Sequence, residues 1–266
     1  MRGKIIDIHQ HLGDVDAGAL VETYAQLGVV KAVLLGQQPS RRPGENEKVL
    51  AAAKRYPDLF IPFAGFDLDE MAAGVVRHFR DEGFRGLKFI GPRRPYDSSC
   101  YFPVYERAAY LKMPVLFHLG IVANHPPWTD ANSDNMRPIH LDFIARRLPE
   151  LAIIGAHLGN PWYDEAAMAC RWNPNLFFDL SGSTLKKKSP EYLGGLLWWR
   201  PDSRPYGSPD HSGAWDKILF GSDLAPEWIE DSIRDYEKMM DALSLSAEDR
   251  RKVWYGNAAR VLRLGE

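Results

Sequence analysis

The chain has 266 residues, of which 45% are hydrophobic and 26% charged, with 33 basic and 35 acidic side chains and a formal net charge of −2. These averages exclude a disordered tail, a collagen-like chain and a coiled coil, and they show no global attraction to nucleic acid or membrane. Cys100 and Cys170 form no CxxC pair, which argues against a disulfide scaffold or thiolate zinc site and for a reducing compartment. No apolar run reaches the roughly 18 residues needed to span a bilayer. Asp7 and His9 interrupt the basic start before a signal-peptide core can form, so a cytoplasmic protein is expected.

Short β-branched runs recur along the chain, and eight strands are predicted at 4–11, 29–36, 60–67, 84–91, 114–120, 152–159, 176–182 and 218–223. Several are apolar on both parities, as expected of strands buried on both faces of a parallel sheet. Helices are predicted between them at 16–27, 45–56, 69–82, 139–148 and 226–243, with a helical tail at 247–262. The third is expected to open on an Asp cap at Asp69 and stop at Gly83. Eight strands alternating with helices over this length predict one (β/α)8 barrel domain spanning 1–266, of the α/β class. An open doubly wound sheet is the alternative, but no GxGxxG follows the first strand. Two long connections, 121–138 and 183–215, leave the C-terminal ends of strands five and seven, as lids, substrate walls or oligomer contacts.

Histidines collect at those same strand ends. His9 and His11 lie two apart on the first strand, so strand periodicity puts both on one face, able to clamp one ion. His11-Leu12-Gly13, His118-Leu119-Gly120 and His157-Leu158-Gly159 repeat one ending, and Asp223 closes the eighth strand. A single histidine of this kind is commonly a hydrogen-bonded core residue. Five groups on one rim read as a site. Asp7 shares the parity of His9 and is expected on the same inward face, as an orienting group or part of the barrel floor.

The chain resembles the amidohydrolase superfamily and, within it, the amidohydrolase-2 (aminocarboxymuconate-semialdehyde decarboxylase-like) family. The resemblance runs nearly end to end, through Asp7-Ile8-His9-Gln10-His11, Gly83-Phe84-Arg85-Gly86-Leu87-Lys88 and Pro114-Val115-Leu116-Phe117-His118. It continues through Ala156-His157-Leu158-Gly159, Phe220-Gly221-Ser222-Asp223 and Gly256-Asn257-Ala258-Ala259-Arg260. The resemblance implies that His9, His11, His118 and Asp223 ligate one divalent metal, Zn²⁺ first, with Mn²⁺, Fe²⁺ or Co²⁺ also compatible with the donor set. It further implies a catalytic pair, with Asp223 as proton shuttle and His157 beside the ion, touching water or a substrate oxygen. Lys88 stands where some amidohydrolases carry a carboxylated lysine between two metals; here it is expected to stay unmodified and either meet a substrate carboxylate or snorkel out of the rim.

Around the expected mouth, Arg41, Arg42, Arg93, Arg94 and Arg137 could fork onto a carboxylate, with Trp128 and Trp228 walling a ring. Lys88, Arg93, Arg94, Trp128 and Arg137 are therefore the substrate-binding candidates, for a small anionic molecule. Hydrolysis of a lactone or amide is the expected reaction, because the chain is compact. Non-oxidative decarboxylation or hydration needs the same ligands and is the alternative. A TatD-like deoxyribonuclease would be expected to carry a glutamate where this chain has Lys88, and a non-catalytic metal-binding barrel would not need the full ligand set. No nucleic-acid or membrane partner is expected; a homo-oligomer is left open.

Overall fold

The computed structural model describes residues 3–124, 126–202 and 207–265, so residue 125 and residues 203–206 of the two long connections lie outside the description. Eight strands form one parallel sheet in chain order: β1 (Ile5–Gln10), β2 (Val29–Leu35), β3 (Phe60–Gly65), β4 (Gly86–Phe89), β5 (Val115–Phe117), β6 (Ile153–Gly155), β7 (Leu176–Asp179) and β8 (Ile218–Leu219). Backbone hydrogen bonds from Ile8 N–H to the Phe220 carbonyl (2.9 Å) and from Asp223 N–H to the His9 carbonyl (2.8 Å) join the last strand to the first. The sheet is thereby drawn into a (β/α)8 TIM barrel.

The apolar character of both strand faces has a direct cause. Ile6, Ile8, Val33, Leu35, Phe63, Leu116, Ile154, Phe177 and Leu219 fill the barrel. The alternate positions, among them Ile5, Leu34, Leu87, Val115, Ile153 and Phe178, pack outward against the helices.

The helices follow their strands. They are α1 (Ala17–Leu27), α2 (Glu45–Arg55), α3 (Val75–Glu82), α4 (Phe102–Tyr110), α5 (Ile139–Arg147) and α6 (Tyr163–Trp172), then α7 (Thr184–Lys187), α8 (Pro190–Leu196), α9 (Ile229–Ala242), α10 (Ala247–Arg251) and α11 (Asn257–Val261). α1 opens on Asp16, whose carboxylate accepts from Gly18 N–H. α3 does not start at Asp69 as expected. Asp67 accepts from the backbone amides of Asp69 and Glu70 and holds a turn there, so the helix begins at Val75 and ends, as expected, at Gly83 in the left-handed region. The sequence reading also lacked α4 and α6. The buried residues of α6 are Tyr163, Ala166, Ala167, Ala169, Cys170 and Arg171, mostly small side chains and one charged one, which give little hydrophobic contrast. The connection after β7 is not an open loop, because Ser189 caps α8 by accepting from Tyr192 N–H, with Pro190 in the first turn.

The C-terminal segment closes the N-terminal mouth of the barrel, where Ala258 and Val261 join the interior cluster. Asn257, 3% exposed, donates its side-chain amide to the carbonyls of Trp215 (2.7 Å) and Ile218 (2.8 Å), and Arg260 donates to the Asp216 carbonyl. Asn257→Ala leaves two carbonyls unpaired, at a cost of about 2 kcal/mol. A lower urea midpoint with an unchanged denaturant slope is the expected result.

Candidate metal centre

The site begins with an irregularity in β1. Ile6 and Ile8 point into the barrel, so Asp7 points the other way, toward α1, where the Tyr24 hydroxyl donates to it at 2.8 Å. Ser222 N–H and His9 N–H also donate to Asp7. Burial pushes this carboxyl up to about 6, against the pull of those hydrogen bonds. The expectation that Asp7 shares the inward face of His9 is therefore corrected. Simple alternation would send His9 outward as well, but the pairing with β2 slips between Asp7 and Gln10, and His9 turns into the pocket.

There His9 Nε2 lies 3.6 Å and His11 Nε2 3.7 Å from Asp223 Oδ1, while His157 Nε2 lies 3.9 Å from Asp223 Oδ2. His9, His11 and Asp223 each present one donor atom, all within 4.8 Å of one another, a spacing that one ion can bridge. Asp223 adopts φ +49°, a left-handed conformation held by its N–H bond to the His9 carbonyl. Gly221 is required two residues earlier, since a Cβ there would sit 2.9 Å from the Cβ of His9 and 3.1 Å from that of Asp179.

Asp179, at the end of β7, is the residue that sequence reasoning missed. Fully buried, it accepts from His9 Nδ1 (2.9 Å), from the backbone N–H groups of His157 (3.0 Å) and Ser181 (2.9 Å), and from the Ser181 hydroxyl (2.5 Å). Burial alone would raise its carboxyl; His9, His157 and Ser181 hold it below the usual carboxylate range instead. The bond fixes His9 as the Nδ1–H tautomer and leaves Nε2 as a free lone pair. The same logic reaches His157. The Ser181 hydroxyl gives its proton to Asp179, so it accepts from His157 Nδ1 at 2.9 Å and leaves His157 Nε2 unprotonated in the neutral ring. The signal was available in Leu176-Phe177-Phe178-Asp179, because the strand-end rule that selects Asp223 selects Asp179 too.

β6 stops at Gly155, and His157 and Leu158 occupy a left-handed turn, φ +60° and +46°. The expected strand to residue 159 is thus cut short by the hydrogen bond between His157 N–H and Asp179. His118 stands beside His157, ring centres 4.9 Å apart, outside the tight set formed by His9, His11 and Asp223. Three polar atoms here are buried without a partner, namely His118 Nε2, Lys88 Nζ and Gln37 Oε1. Gln37 Nε2 lies 3.1 Å from His11 Nδ1, and turning its amide end for end would give His11 Nδ1–H a carbonyl acceptor and free Nε2.

Burial lowers His11, His118 and His157 from the ordinary imidazole range, favouring the neutral form in which imidazole ligates metals. Asp223 is held below its ordinary value: burial raises it, and His9, His157 and His11 more than offset that. Burial pushes Lys88 down to about 8. Neutral imidazoles, an ionised carboxylate and buried polar atoms without partners fit a divalent cation and a polar ligand.

The arginines of the rim are largely engaged elsewhere. Arg93 pairs with Glu70, Arg137 with Glu165 and Asp134, and Arg41 with Asp130. The exposed Arg94 has no side-chain partner among the described residues. Trp128 is buried, with the Arg41 guanidinium 4.9 Å from its ring centre, while Trp228 is exposed. The structure thus brings together His9, His11, His157 and Asp223, sets His118 and Lys88 in the same buried neighbourhood, and ties Arg93 and Arg137 into ion pairs.

The amidohydrolase family model Amidohydro_2 matches residues 6–264. The chain belongs to the amidohydrolase family. Solved structures with the same fold include an uncharacterised TIM-barrel protein from Bordetella bronchiseptica, with 21% identity, a TM-score of 0.70 and 98% of each chain covered. A probable 2-pyrone-4,6-dicarboxylic acid hydrolase from Acinetobacter baumannii, with citric acid bound, matches at 14% identity and TM-score 0.67, covering 99% of this chain and 100% of that one. A 5-carboxyvanillate decarboxylase from Novosphingobium aromaticivorans, complexed with manganese and 4-hydroxy-3-methoxy-5-nitrobenzoic acid, matches at 16% identity and TM-score 0.67, covering 98% and 96%. No curated protein matches the chain. Among the described residues, no helix is long and apolar enough to cross a membrane.

Asp179→Ala removes the acceptor that orients His9. Titration with Zn²⁺ or Mn²⁺ should show affinity reduced about 10–100-fold in a protein that remains folded.

Proposed function

We propose that this amidohydrolase is a metal-dependent hydrolase of a small carboxylated or cyclic substrate, a lactone or amide. The observation that carries the reading is the division of labour on Asp223. Its Oδ1 faces His9 and His11, and its Oδ2 faces His157. His9, His11 and Asp223, with His118 beside them, would hold one divalent transition metal, Zn²⁺ first, with Mn²⁺, Fe²⁺ or Co²⁺ as alternatives. Such a metal supplies Lewis acidity, polarising a carbonyl and lowering the pKa of water.

The remaining steps belong to the chain. Asp223 Oδ2 accepts the proton of the attacking water and returns it to the leaving oxygen or nitrogen. His157, held by Ser181 and Asp179, keeps Nε2 unprotonated and orients the attacking water by accepting a hydrogen bond from it. Lys88 Nζ, buried and unpaired, meets a substrate carboxylate as an unmodified ammonium, and Trp128 walls the pocket. Arg93 and Arg137 are already paired and contribute at the mouth only as a longer-range positive field, whereas the exposed Arg94 is available to a substrate carboxylate.

Decarboxylation is the second reading. It is favoured by the same orphaned Lys88 and by the manganese-bound decarboxylase among the structural relatives. The test is a panel of carboxylated lactones and carboxylated phenols offered to metal-loaded protein. Hydrolysis of a lactone should be abolished by chelation, restored by metal, and slowed about a thousandfold in Asp223→Ala. Release of CO2 from the phenols with no hydrolysis would overturn the hydrolase reading.

A further inference from the structure

A second concave site lies at the opposite end of the barrel. Lys31, Lys54, Arg80, Arg85, Lys112 and Arg263 line a cavity of about 550 Å³ between β2, α2, α3, the entries to β4 and β5, and the C-terminal segment. No Asp or Glu lines it. Lys31 gives its ammonium to the Asp58 carbonyl. The other five side chains make no ion pair or hydrogen bond among the described residues. Glu150 stands in a smaller crevice next door, which Lys112 and Arg263 also line.

Single exposed cations are ordinarily solvated one by one; here six border one concavity. At the rim of the candidate metal centre Arg41, Arg93 and Arg137 are each answered by a carboxylate, whereas the six cations that line this cavity make no ion pair among the described residues, on a chain of formal charge −2. Like charges held close repel one another, and a bound anion is what removes that cost. The walls between the cations are apolar, from Leu50, Phe60, Leu262 and Leu264. The volume falls within the range of about 300–1,000 Å³ that suits one compact organic ligand. Three guanidinium forks and three ammonium groups exceed the need of a single carboxylate and match a group carrying several negative charges on phosphate oxygens.

We infer that this cavity is a binding site for a small organic polyphosphate, with its phosphates on the six cations and its less polar body against the leucines and Phe60. The ligand would join the C-terminal segment to β2, α3 and the β4 and β5 entries, on the face away from the candidate metal centre. Binding should therefore raise the unfolding temperature without requiring the metal ligands.

Calorimetric titration of metal-loaded protein with ATP at physiological ionic strength tests the inference. Saturable binding is expected, about tenfold weaker in the exposed-residue variant Arg85→Glu/Lys112→Glu and unchanged in Asp223→Ala. The Asp223→Ala arm separates this cavity from phosphate binding to a metal at the other end. The thermal midpoint should rise with ATP in the wild type and in Asp223→Ala, and much less in the double variant. No saturable binding to the wild type, equal affinity in the double variant, or loss of binding in Asp223→Ala would each overturn the proposal.

Discussion

At the end of β7, one buried carboxylate answers four donors. Asp179 takes His9 Nδ1, two backbone amides and the Ser181 hydroxyl, and each bond fixes something different. The first sets the tautomer and aim of His9. The second pins the left-handed turn that carries His157, and the serine carries the same constraint on to the His157 ring. An anion with no water around it survives only because these donors pay back its lost hydration, so removing it would loosen two histidines at once.

The local backbone at the site is strained in the ordinary sense. His157, Leu158 and Asp223 all hold positive φ, a conformation that costs a side-chain-bearing residue of order 1 kcal/mol or more. A barrel packed inside and out supplies the rigidity that keeps them there. Asp7 contributes from beneath, clasping Ser222 N–H just before Asp223 while anchoring to Tyr24 on α1. The helix layer and the reactive end are thereby mechanically joined.

All eight strands and their order were legible because a strand buried on both faces is apolar at most positions, and such runs stand out. The strand ends were less legible. Hydrophobicity carried the sixth strand through His157, whereas a side chain 22 positions away, Asp179, captures its amide and breaks the extended path. The start of α3 was misplaced for a similar reason, since Asp67 competes for the amides that a helix would use. His9, His11, His157 and Asp223 were readable from position alone. Asp179 stands at a strand end by the same rule as Asp223, but it lacks the repeated His-Leu-Gly ending that drew attention to the other strand ends. The engagement of Arg93 by Glu70 and of Arg137 by Glu165 on α6 depends on tertiary placement that composition does not dictate.

The central claim is one ion held by His9, His11 and Asp223, with Lys88 left as an uncarboxylated ammonium. Metal content of the untagged protein, measured by plasma mass spectrometry after reconstitution, addresses it most directly. The account predicts one transition metal per chain, lost in both His9→Ala and Asp223→Ala. Two metals per chain, which would require Lys88 as a bridging carbamate, or none even with Zn²⁺ or Mn²⁺ supplied, would contradict it.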